Sequence, residues 1–385
     1  MWRSCLWVGL LGCSLDAPAT TVDRSADADL APASRPVEVA SWAGALRPVG
    51  RHRWMTPTQL RYGWSGAGFT LRFSGTSVHV RLDDHARYHT VVVDGEDVEV
   101  LETTPGPRRY EVVVGLPPGE HELSLLRRTE GHLGPTTLLG VEVDGPLRPV
   151  PEPAARIEAI GDSITTGYGN GGSSRYCKYS PRTQDHWRTY TARAARAVGA
   201  ELSTVAWSGK GVVHNYGDDR GDDRGDDRDH DRGDDRGDNR FEPMPVLYER
   251  RVPTEPEPEP ERSSWAPADV VVLNLGTNDF STEDDPSEEE FVAGYIDLLA
   301  RIRHHHPDAE ILATVAPLLR DDERSVVEVY IDQAIELRQR EGDARLRRID
   351  LHVRARGWGC DWHPSAATHA AMAERLEPEL RRALR

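Results

Sequence analysis

From about residue 37 to residue 147, apolar side chains alternate with polar ones at Phe69, Leu71 and Phe73, at Val78, Val80 and Leu82, and at Tyr110, Val112 and Val114. A period of two turns one set of side chains toward a core and predicts half-buried strands. Asp94-Gly95 separates two valine-rich runs and is a hairpin signal, and Pro117-Pro118-Gly119 sets off a further strand through Leu123 and Leu125. About six to eight short strands with no helical stretch among them predict an all-β jelly roll or sandwich over 37–147. The Pro-rich run 147–153 then reads as a linker.

Beyond it the period changes. Five apolar segments, at 157–160, 202–207, 270–275, 311–316 and 346–351, read as buried strands. Between and after them lie helical stripes: Phe291, Tyr295, Ile296, Leu299 and Ile302; then Val326, Val327, Tyr330, Ala334, Ile335 and Leu337; then His369, Met372, Ala373, Leu376 and Leu380. Buried strands alternating with amphipathic helices predict a second domain over 154–385, an α/β/α three-layer unit around a five-stranded parallel sheet.

Composition changes this picture in two places. The chain has 385 residues, room for two domains, and a formal charge of −17 that disfavours nucleic-acid binding through a general basic field. Three stretches carry −15 of that charge: the tandem Gly-Asp-Asp-Arg units of 217–240, the Glu-Pro repeats of 255–261 and the acidic run 283–290. None can bury apolar surface, and 217–262 reads as a low-complexity, solvated insertion in the second domain. At the other end, a one-charge start and a short apolar run ending at Leu10-Leu11-Gly12-Cys13 read as a signal peptide with a bacterial lipobox over 1–13. Residues 14–36 follow as a disordered tether. The expectation is a secreted or surface lipoprotein whose contact with a membrane is a lipid on Cys13. Cys177 and Cys360 remain for the folded part, either as one disulfide or as two thiols.

In an open parallel sheet, ligands bind at the carboxyl ends of the strands. The first strand here ends in Gly161-Asp162-Ser163-Ile164-Thr165-Thr166-Gly167-Tyr168-Gly169, the second in Trp207-Ser208-Gly209-Lys210-Gly211, the third in Gly276-Thr277-Asn278-Asp279 and the fifth in Asp361-Trp362-His363-Pro364. This rim holds the parts for acyl transfer. A Ser hydroxyl becomes a nucleophile when a His takes its proton, and the oxyanion that develops needs donors already in place. Ser163 is the candidate nucleophile and His363 the base, with Asp361 as the carboxylate that orients the imidazole. The Ser163 and Gly209 N–H groups and the Asn278 amide are the candidate oxyanion donors, Gly209 being preferred to Gly211.

These four blocks resemble those of the SGNH (GDSL-type) hydrolases, with Ser163, Gly209, Asn278 and His363 at the named positions. Their wording and the β-domain ahead of them more closely resemble carbohydrate esterase family 2. The resemblance covers roughly 40–384. It implies removal of acetyl groups from acetylated polysaccharides such as xylan and glucomannan, with no cofactor. Asp361 stands two residues before His363, whereas many SGNH enzymes place the acid three before, and some family members look like dyads in which a backbone carbonyl holds the His. Trp362 and Tyr168 are candidate sugar-binding aromatics; Trp207 and Trp358 also flank the blocks. The run His304-His305-His306 points in different directions on a helix and has no zinc spacing, and the mechanism calls for no metal. The alternatives are a GDSL-type lipase or thioesterase acting on other acyl esters, and a surface polysaccharide-binding protein.

Overall fold

The computed structural model describes residues 42–85, 87–217, 242–256, 266–281, 285–315 and 319–385. The expected leader and tether lie outside the described residues, as do nearly all of the Asp-Arg repeat and most of the Glu-Pro stretch.

The N-terminal unit contains β1 (Arg47–Val49), β2 (His52–Thr56), β3 (Gln59–Tyr62), β4 (Gly68–Asp84), β5 (Tyr88–Val93), β6 (Glu96–Glu102), β7 (Gly106–Arg127), β8 (Thr136–Val143) and β9 (Leu147–Arg148). All pairings are antiparallel. The expected short strands are corrected here: β4 and β7 run 17 and 22 residues and serve both layers of a sandwich. The first half of β4 pairs with the second half of β7, which continues to β5 and β6, while β1 and β9 flank β4 on its other edge. The second half of β4 pairs with the first half of β7 and with β8, which leads to β3 and β2. The corner falls at a register shift between Gly75 and Ser77. There the Asp144 carboxylate accepts the Thr76 N–H at 2.8 Å and the Ser77 N–H at 3.1 Å. A Cβ on Gly75 would stand 2.2 Å from an Asp144 oxygen, so only glycine lets the strand turn against that cap. Phe69, Leu71, Phe73, Val78, Val80 and Leu82 all face the core, which is why the period of two was legible on both sides of the bend.

The C-terminal unit is a five-stranded parallel sheet in the order β11-β10-β12-β13-β14, made of β10 (Arg156–Gly161), β11 (Glu201–Ala206), β12 (Val270–Asn274), β13 (Glu310–Thr314) and β14 (Leu346–Arg348). Two short helices, α1 (Ser163–Thr166) and α3 (Met244–Leu247), and four longer ones, α2 (Tyr190–Ala197), α4 (Glu288–His305), α5 (Asp321–Arg340) and α6 (Ala366–Ala383), accompany it. Both faces of the sheet are covered. Val271, Leu273, Ile311 and Ala313 pack with Phe291, Tyr295, Leu299, Val327 and Ile331 of α4 and α5. Ile157, Val270, Val272 and Leu312 pack with Tyr190, Met372, Leu376 and Leu380 of α2 and α6. On α5 the buried stripe is Val327, Ile331, Ala334 and Ile335, whereas Val326 and Leu337 of the expected stripe are exposed.

The two units share a polar seam. Arg51 of the sandwich is fully buried, and its guanidinium donates to both oxygens of Glu158 on β10, each at 3.1 Å, and to the Tyr248 carbonyl. His306, which caps α4, lies 2.9 Å from the same carboxylate. Burial opposes the charge on Glu158, but Arg51 and His306 prevail and hold its pKa down to about 2. The Trp64 indole N–H also reaches the Arg250 carbonyl across the boundary.

Candidate active site

β10 ends at Gly161, where a Cβ would meet the Thr165 hydroxyl at 2.1 Å, so the chain folds back at once into α1. Asp162 caps that helix, accepting the Ile164 N–H at 2.9 Å, and burial pushes its pKa up to about 7. Ser163 is the first residue of α1, with its hydroxyl 2.9 Å from His363 Nε2.

His363 arrives from the loop before α6. The Gly359 N–H donates to the His363 carbonyl, the Cys360 N–H to that of Gly169, the Asp361 N–H to that of Cys177 and the Trp362 N–H to that of Arg175. A disulfide between Cys177 and Cys360 settles the question the sequence left open. Asp361 and Trp362 have φ of 47° and 63°, two consecutive left-handed residues without a glycine. This turn brings the Asp361 carbonyl oxygen to 3.0 Å from His363 Nδ1. A carbonyl only accepts, so Nδ1 carries the proton and Nε2 presents its lone pair to Ser163. Burial keeps the imidazole pKa below its ordinary value, which leaves the base neutral at physiological pH.

The expected role of the Asp361 carboxylate is corrected by this geometry. Its oxygens accept from the Tyr179 N–H at 2.9 Å, Lys178 at 3.1 Å and the Tyr168 hydroxyl at 3.2 Å, and the contact to the imidazole is made by the backbone. Burial opposes the charge, yet these three donors hold the carboxyl below the usual range. Tyr168 supports this wall, with its ring 4.3 Å from that of His363 and 4.1 Å from that of Tyr179. Trp362 is 51% exposed, with the Arg175 guanidinium 4.4 Å from its ring centre and the edges of Tyr176 and Trp358 nearby.

The remaining donors come from the ends of β11 and β12. Gly209 has φ of 80°, and among the described residues no acceptor takes its N–H. The Ser163 N–H, at the first turn of α1, likewise points to no acceptor among the described residues. Asn278 is buried and donates one amide hydrogen to the Lys210 carbonyl at 2.9 Å, leaving the second for a ligand. Next to it Asp279, fully buried, accepts the N–H groups of Val212, Val213 and His214 at 2.8 to 3.1 Å and locks the loop that follows Gly209. Asp279 lay within the quoted third block without a role. Glu130, Gln184 and Tyr179 also bear on the site and carried no local signal. Among the described residues, no group of three His, Cys, Asp or Glu is arranged to hold a metal ion.

A strand-to-helix serine, a neutral imidazole aimed at it, and N–H groups left without an acceptor among the described residues on the same parallel-sheet rim define a serine carboxylic ester hydrolase. Comparison with known proteins agrees. Residues 48–153 match the carbohydrate esterase 2 N-terminal family, and 159–371 match the GDSL-like lipase/acylhydrolase family. A solved family two carbohydrate esterase from Clostridium thermocellum, in complex with cellohexaose, is 31% identical with a TM-score of 0.78, over 88% of this chain and 99% of that one. The cellulase/esterase CelE of Acetivibrio thermocellus is 33% identical over 87% of this chain, which spans 39% of that relative's length. An acetylxylan esterase / glucomannan deacetylase of Cellvibrio japonicus is 26% identical over 83% of this chain and 85% of its own. The chain belongs to the family two carbohydrate esterases.

Proposed function

We propose that the protein removes O-acetyl groups from carbohydrate, of the acetylxylan and glucomannan type, through an acyl-enzyme. Ser163 attacks the acetyl carbonyl while His363 Nε2 takes the hydroxyl proton. The imidazolium then protonates the departing sugar oxygen, leaving acetyl on Ser163. In the second half His363 takes a proton from water, the resulting hydroxide attacks the acyl-enzyme, and acetate leaves as Ser163 regains its proton. The N–H groups of Ser163 and Gly209 and the Asn278 amide stabilise both tetrahedral oxyanions. The observation that carries the reading is the 2.9 Å contact between Ser163 and His363, with the opposite ring nitrogen held by a carbonyl. The half-exposed Trp362 beside it offers a face for a sugar ring.

Ser163→Ala and His363→Ala should each abolish acetate release from acetylated xylan and glucomannan with an unchanged circular dichroism spectrum. Turnover retained in either variant refutes the assignment. A series of p-nitrophenyl esters tests the acyl group: preference for chains longer than acetyl would favour a lipase or thioesterase. The proposal extends to location, a lipoprotein exported from a bacterium and lipidated at Cys13. The disulfide supports an oxidising compartment. Metabolic labelling with a fatty acid checks this, and label that persists in Cys13→Ser refutes it.

A further inference from the structure

The sandwich domain sends one buried carboxylate into the neighbourhood of the oxyanion donors. Glu130, fully buried, stands at the start of the 3-10 turn Gly131–Leu133, between β7 and β8. One of its oxygens accepts the Ser208 N–H at 2.8 Å and the other accepts the Ser208 hydroxyl, also at 2.8 Å. Both oxygens are thus spent on the residue immediately before Gly209. Its carboxylate also lies 3.4 Å from His132 Nδ1, whose ring centre is 6.1 Å from that of Trp207.

A buried carboxylate costs free energy that an apolar side chain filling the same space would not, so its retention calls for a task. The segment it grips has one. Gly209 carries no side chain and sits in a left-handed conformation, so packing cannot aim its N–H; the flanking residue must be fixed instead. The anchor is itself registered to the nucleophile. The Glu130 N–H donates to Gln184 Oε1 at 3.3 Å, and Gln184 Nε2 donates to the Thr166 carbonyl at the end of α1 at 3.2 Å. Gln184 is fully buried, and its Oε1 also takes the Tyr179 hydroxyl at 2.8 Å. Arg127, buried as well, donates to the Glu130 carbonyl at 3.2 Å.

We propose that Glu130 of the N-terminal sandwich is a positioning residue for ester hydrolysis: it fixes Ser208 so that the Gly209 N–H meets the oxyanion formed at Ser163. The sandwich is then a structural half of the catalytic site. The inference rests on the esterase reading of Ser163.

Purified full-length variants are compared on p-nitrophenyl acetate, with Ser163→Ala in parallel, and their affinity for methylboronic acid, a tetrahedral mimic of the oxyanion, is measured. Glu130→Ala should lower kcat by about 10²-fold, the scale of losing one oxyanion donor, with KM changed less than about threefold. Boronate affinity should fall in step with kcat. Glu130→Gln, whose amide can accept the Ser208 N–H and donate to the hydroxyl, should restore turnover to within about tenfold of the parent. A folded Glu130→Ala with turnover within threefold of the parent overturns the proposal, and so does a loss confined to KM or one that leaves boronate affinity unchanged. Should Glu130→Ala not fold, Ser208→Ala carries the test. It removes one of the two bonds, should lower kcat and boronate affinity together by about three- to tenfold, and overturns the proposal if both stay unchanged. Activity surviving in Ser163→Ala would strike the esterase reading itself, a result distinct from either.

Discussion

Asp361→Asn separates a base held by a carboxylate from one held by a carbonyl. In a Ser-His-Asp triad, replacing the orienting acid with its amide lowers kcat by about 10⁴-fold, near 5.5 kcal/mol of transition-state stabilisation. Here the oxygen 3.0 Å from His363 Nδ1 belongs to the backbone and survives the substitution. The turn survives too, because Asn tolerates the left-handed region as well as Asp, so the φ of 47° is no harder to hold. An Asn oxygen still accepts the Tyr179 N–H. What disappears is a charge paired with Lys178, whose side chain is 91% exposed, so the loss is screened by water. That charge also favours the imidazolium, and its removal lowers the pKa of His363 further. The expected result is a fall in kcat of less than about tenfold, under about 1.4 kcal/mol, and an acid limb of the pH profile moved to lower pH. Steady-state rates on p-nitrophenyl acetate from pH 4.5 to 8.5, with acetate release from acetylated xylan as a second substrate, read both quantities. A fall of 10³-fold or more, with secondary structure and melting temperature intact, would refute a dyad and return the carboxylate to the mechanism.

Three further outcomes are expected. In the parent enzyme the acid limb of kcat/KM should have its midpoint below 6.5, because burial lowers the pKa of His363; a midpoint at or above 6.5 contradicts the buried-base picture. Acid should destabilise the fold in two stages. His186 and His369 are buried and neutral with pKa values near 3, so below pH 6.5 the unfolded chain binds more protons and stability falls until about pH 3. Glu158, held at about 2, contributes stability that is full above its unfolded value of 4.5 and is lost as pH falls toward 2. A melting temperature that stays flat from pH 7 to pH 3 would sink this account. Finally, the Cys177–Cys360 bond spans 183 residues and sits one residue before Asp361, so Cys177→Ser with Cys360→Ser should cost about 2–4 kcal/mol of stability and lower kcat. Unchanged denaturant midpoint and turnover would show that the backbone bonds of this loop suffice.

How much the sequence disclosed depended on the range of the interaction. The parallel strands were visible because both of their faces are buried, which leaves uninterrupted runs such as Val270–Asn274. Once those strands were placed, the residues after them fell on one rim, and the structure brings Ser163 and His363 together there across 200 positions. The length of β4 was missed, since the alternating sets at 69–73 and 78–82 were counted among short strands and the Asp144 that caps the corner between them is 68 residues away from Thr76. Asp361 shows a different limit. Its residue type suggested a carboxylate at work, but what orients the imidazole is a backbone angle, which residue identity does not encode. His306 was read only as part of a His run without zinc spacing, and its actual partner, Glu158, is 148 positions away. Glu130 was invisible for the same reason, being 78 positions from Ser208 and in the other domain.

The seam at Arg51 and Glu158 bears on how such a protein could be divided. A boundary in sequence at the Pro-rich run suggests two pieces to be expressed, exchanged or inherited separately. Cutting there would take Arg51 from Glu158, leave that carboxylate to His306, and open to water on both pieces a seam that is buried in the whole chain. The sandwich and the parallel-sheet unit should therefore melt in one transition, resist proteolytic separation at 149–153, and pass through recombination as a single cassette.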